Sequence, residues 1–93
     1  MKDPFMRRTL LRRVDEEFRN TSVCISKPYQ IEDGRFASVV EFSEVDRYNA
    51  VIRGADEFNA VECALDYVAA IFRSSTDPEF FISENESLLE DRE

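Results

Sequence analysis

A chain of 93 residues has room for one domain around a single core, and 26 of them are Leu, Ile, Val or Phe, enough apolar matter to build one. The sequence holds no histidine, two cysteines and two glycines, which excludes histidine-based catalysis, histidine-ligated haem, a four-ligand Cys/His zinc site and a glycine-rich phosphate loop. Twenty acids against twelve bases give a net charge of −8, a field that repels nucleic-acid phosphates and anionic membranes and favours a basic protein.

Residues 6–14 carry two patterns at once. Phe5, Met6, Leu10, Leu11, Val14 and Phe18 fit a helical stripe behind Asp3 and Pro4. Met6, Arg8, Leu10, Arg12 and Val14 also alternate as a strand with an arginine-rich half. Residues 20–27 are β-branched, with Val23 and Ile25 on one face and Pro28 as the stop. Asp33 and Gly34 signal a turn before a strand at 35–42, where Phe36, Val40 and Phe42 share a face. A polar connection containing Val45 leads to a second strand at 47–53, with Tyr48, Ala50 and Ile52 on one side, so the two runs read as a hairpin.

The spacing predicts a helix over 57–73. Phe58, Val61, Leu65, Val68 and Phe72 recur at alternating intervals of three and four, and Ala64 and Ile71 widen that stripe into a core-facing side. Asp56 is placed to cap it, and Gly54 to allow the strand-to-helix turn. Residues 79–82 are a short apolar run, either an edge strand or a segment folded back onto the core. Ser83 and Glu86 fit a capping box ahead of Leu88 and Leu89, which predicts a short helix in an acidic tail. The division expected is one α+β domain over 1–82 and a tail over 83–93.

From Arg8 to Phe72 the layout resembles a family of small bacterial domains of unknown function. The matching residues are Arg8, Thr9 and Leu10, then Val23, Cys24 and Ile25 before Pro28, then Asp33 and Gly34. The last block is Ile52, Gly54 and Asp56, continuing through Ala60, Ala64 and Leu65. The resemblance implies a β-meander packed on one long helix, and it turns residues 6–14 from helix to strand. It brings no catalytic residue with it.

The expected fold is therefore α+β: a three- or four-stranded antiparallel β-meander with one long amphipathic helix on one face and the other face partly open. The absence of a leader-like apolar stretch and of any 18-residue apolar run predicts a cytoplasmic chain. In that compartment Cys24 and Cys63 serve as reduced apolar filler.

The charge is uneven, +2 over residues 1–20 and −10 over the rest. Glu62 and Asp66 stand at i, i+4 opposite the apolar stripe with Glu57 nearby, where like charges weaken an isolated helix. With Glu41, Glu44 and Asp46 they form the expected partner-binding set. Arg7, Arg8, Arg12 and Arg13 would be divided between two faces of a strand, so no direct nucleic-acid contact is expected. Tyr29, Tyr48, Tyr67, Phe80 and Phe81 are the aromatics expected at least partly at the surface.

These readings predict a non-enzymatic protein without metal or cofactor. It would bind and inhibit a basic partner, a nuclease or nucleic-acid-binding complex, in bacterial or phage conflict. An anti-CRISPR-like blocker and a toxin immunity protein both ask for that surface. The alternative is a structural or assembly module that forms a homo-oligomer, such as a homodimer, through the open sheet face or an edge strand.

Overall fold

The computed structural model describes residues 4–73, 79–83 and 86–87. The described chain forms β1 (Met6–Val14), β2 (Glu17–Ile25), β3 (Tyr29–Gln30), β4 (Phe36–Phe42), β5 (Ala50–Gly54), α1 (Glu57–Arg73), β6 (Phe80–Ser83) and β7 (Glu86–Ser87).

Residues 6–14 are strand. β1 pairs with β2 along its whole length, from Met6 opposite Ile25 to Val14 opposite Glu17. That ladder satisfies backbone groups and buries Leu10, whereas a helix would have lost the alternation. The turn is only Asp15 and Glu16, at φ 50° and 69°. Two left-handed residues in succession match the twist of a tight hairpin.

β4 pairs with β5 on one side and with β2 and β3 on the other. β2 meets β4 as Ile25 opposite Val40, and β3 meets it as Tyr29 opposite Ala37. The register therefore slips by one residue across Ser26–Pro28, and β3 continues the line of β2. β1, β2, β4 and β5 make the expected four-stranded meander.

The sheet is larger than that. After α1 the chain returns to the far side of β1, where Leu11 faces Phe81 and Arg12 faces Phe80, and β7 pairs outside β6. The order across the sheet is β5, β4, β2 with β3, β1, β6, β7. β5 and β6 run in the same direction, so α1 is a crossover that passes over the strands between them. Ser83 thus ends β6 and Glu86 opens β7, which replaces the predicted capping box with a strand pair and carries the sheet past residue 82. Leu88 and Leu89 lie outside the described residues.

The first part of the predicted strand at 47–53 is also different. Residues Asp46–Tyr48 form a 3-10 turn, and β5 begins at Ala50. The turn is held because the Phe42 N–H donates to Asn49 Oδ1 at 2.6 Å and the Tyr67 hydroxyl donates to the Tyr48 carbonyl at 2.7 Å. Val45, the apolar residue of this connection, is buried.

The core lies between α1 and one sheet face: Leu10, Val23, Ile25, Val40, Phe42, Val45, Ala64, Val68 and Phe80. Phe80 sits 5.6 Å from the Phe42 ring and 5.3 Å from the Phe72 ring, centre to centre. Phe80 and Phe81, expected near the surface, are both buried. Their strand sits inside the sheet, with Phe80 on the helix side and Phe81 edge-on to Phe18 on the other.

α1 starts as expected. Asp56 Oδ1 accepts the Asn59 N–H at 2.7 Å, and Asn59 Oδ1 accepts the Ala55 N–H at 2.9 Å. Its buried face is the predicted one only in part. Ala64 and Val68 are buried and Ile71 and Phe72 pack against the core as expected, with Ala60 buried beside them, while Phe58 is 73% and Leu65 45% exposed. The reason is close approach: a Cβ on Gly54 would lie 2.6 Å from Ala60 Cα. A helix drawn that near to the sheet turns its small residues inward and leaves the bulky ones on its flank.

Candidate functional site

The six acids singled out from the sequence divide into two groups. Glu57, Glu62 and Asp66 are all exposed on α1. Glu62 and Asp66 sit two residues before and after the buried Ala64, and at about 100° per residue both point away from the sheet. Glu57 belongs to the first turn, where a carboxylate is favoured by the helix dipole.

Glu41, Glu44 and Asp46 belong elsewhere. Glu41 pairs across strands with Cys24, which pairs with Arg7, so these three share the sheet face opposite α1. Glu41 and Asp46 line a shallow polar cleft of about 340 Å³ together with Arg7, Ser22, Cys24, Ser43 and Asn49. Glu44 is exposed in the connection beside it.

The arginine cluster is divided as its alternation predicts. Arg8 and Arg12 lie in register with Val23 and Arg19 on the helix side, and Arg7 and Arg13 point the other way. Arg12 Nε donates to Glu79 Oε2 at 2.6 Å, and the Arg13 guanidinium lies 5.8 Å from the centre of the Phe81 ring. Glu79 also accepts the Tyr48 hydroxyl at 3.1 Å and lies 3.5 Å from Arg47. Tyr48 in turn carries the Arg47 guanidinium 4.6 Å from its ring centre. This network fastens the end of the β4–β5 connection to β1 and to the residue before β6. Sequence reading had no signal for it, because Glu79 meets partners 31 and 67 positions away.

The open sheet face carries small residues between long ones. Ala37 is fully buried although no second layer of described residues lies above it, for its cross-strand partners are Tyr29 and Arg53. Cys24 is covered in the same way by Arg7 and Glu41. Cys24 and Cys63 are both free thiols. Among the described residues no three Cys, Asp or Glu side chains converge to hold a metal ion, and no helix is long and apolar enough to cross a membrane.

A second cleft, about 310 Å³, opens between the flank of α1 and the ends of β1 and β2. Met6, Val23, Ile25, Leu65 and Phe72 supply its apolar lining, with Arg7, Arg8 and Arg73 also lining it. The sequence pattern gave no hint of it, since it exists only because Leu65 is turned away from the core.

The geometry defines an α+β protein with one helix on an antiparallel sheet and an acidic outer helix ridge. No protein-family model, curated protein or solved structure matches this chain.

Proposed function

We propose that this chain is a non-enzymatic acidic protein that binds a basic partner and inhibits it by covering its working surface. The setting is bacterial or phage conflict, as a blocker of a nucleic-acid-binding defence complex or as an immunity protein for a toxin nuclease. The observation that carries the reading is the position of Glu62 and Asp66. Both are exposed, one turn apart and opposite the buried helix face, where a like-charged pair adds nothing to folding. A ridge of fixed carboxylates complements an Arg/Lys-rich cleft that ordinarily takes phosphate, and steers the encounter at long range. Glu57, exposed in the first turn of α1, lies about 140° or more around the helix from that ridge and is separate from it. Glu41, Glu44 and Asp46 form a separate acidic region at the β4–β5 end.

Tagged protein passed over host lysate at low and high salt tests this. One basic nuclease or nucleic-acid-binding complex is expected at low salt and lost at high salt. The Glu62→Lys, Asp66→Lys double variant should lose that partner while its thermal midpoint stays nearly unchanged. Retention of the partner by the double variant removes the ridge from the reading. Self-association alone, surviving high salt, favours an assembly module instead.

A further inference from the structure

We draw no further inference here: the strongest candidate, the apolar cleft between the exposed flank of α1 at Leu65 and the ends of β1 and β2, carries nothing, because nothing in the structure shows what covers it.

Discussion

Ser38 shows what a single side chain contributes. It is fully buried in β4, in register with Ile52, and its hydroxyl has no hydrogen-bond partner among the described residues. Its small volume is what the position needs, because α1 crosses close above β4 and β5. Its polarity is a cost, since a buried hydroxyl without a partner loses its water and gains nothing in return. Ser38→Ala keeps the volume and removes the penalty, and is expected to stabilise the fold by about 1 kcal/mol. Urea titration of both proteins measures this; a lower midpoint for the variant would show the hydroxyl to be satisfied. Other single residues were legible in advance for local reasons. Asp56 caps α1 because a carboxylate at that place meets an orphan N–H, and Asp33 with Gly34 turns the chain because both tolerate left-handed backbone, at φ 63° and 71°. Beside Asp15, which shares that tolerance, Glu16 adopts the same backbone without that chemistry. Glu is no turn signal, and the pairing of residues 6–14 with 17–25 imposes the conformation from outside.

At the scale of elements, the junction of β5 and α1 decides how the helix sits. Gly54 has an ordinary backbone, and its need for glycine is steric: a Cβ there would lie 2.6 Å from Ala60 Cα and 2.7 Å from the Asn59 carbonyl carbon. Those are backbone atoms of the helix, which cannot step aside as the end of a side chain can. Gly54→Ala should therefore push α1 outward and cost about 1–3 kcal/mol, the range for overpacking a close contact. Thermal unfolding checks it, and a loss below a few tenths would mean the helix yields freely. The same junction explains which part of α1 was legible. Periodicity correctly marked a helix over Glu57–Arg73 and a side that avoids water. It could not tell the stripe of large residues at 58, 61 and 65 from the adjoining stripe of small ones at 60 and 64. That choice depends on the distance between helix and sheet, which Gly54, Ser38 and the alanines set together. Strand faces were easier to read. A period of two leaves only two options, and Phe36, Val40 and Phe42 duly share the helix side with Val23, Ile25 and Ile52.

For the whole molecule, the decisive event is the return of the chain to β1 after α1. The meander could be read from consecutive short runs, each with its own turn signal. The return could not, because residues 79–82 are too few to declare a partner, and their place beside β1 follows from the crossover. Their contribution is central all the same. Phe80 is 3% exposed and meets Phe42, Phe72 and Tyr48 at ring-centre separations of 5.6, 5.3 and 6.1 Å. Glu79, just before it, ties Arg12 of β1 to Tyr48 of the β4–β5 connection. Three parts of the chain far apart in sequence thus close on one aromatic cluster. Phe80→Ala should open a cavity there and cost about 3–5 kcal/mol, against a total of about 5–15 kcal/mol for a domain of ordinary stability. If the return strand were an accessory to a self-sufficient meander, the loss would stay near 1 kcal/mol and the cooperativity of urea unfolding would not change. A loss in the upper range with a single cooperative transition is the expected result. It would make β6 a part of the same folding unit as β1 to β5, with α1 held between the two ends of one sheet.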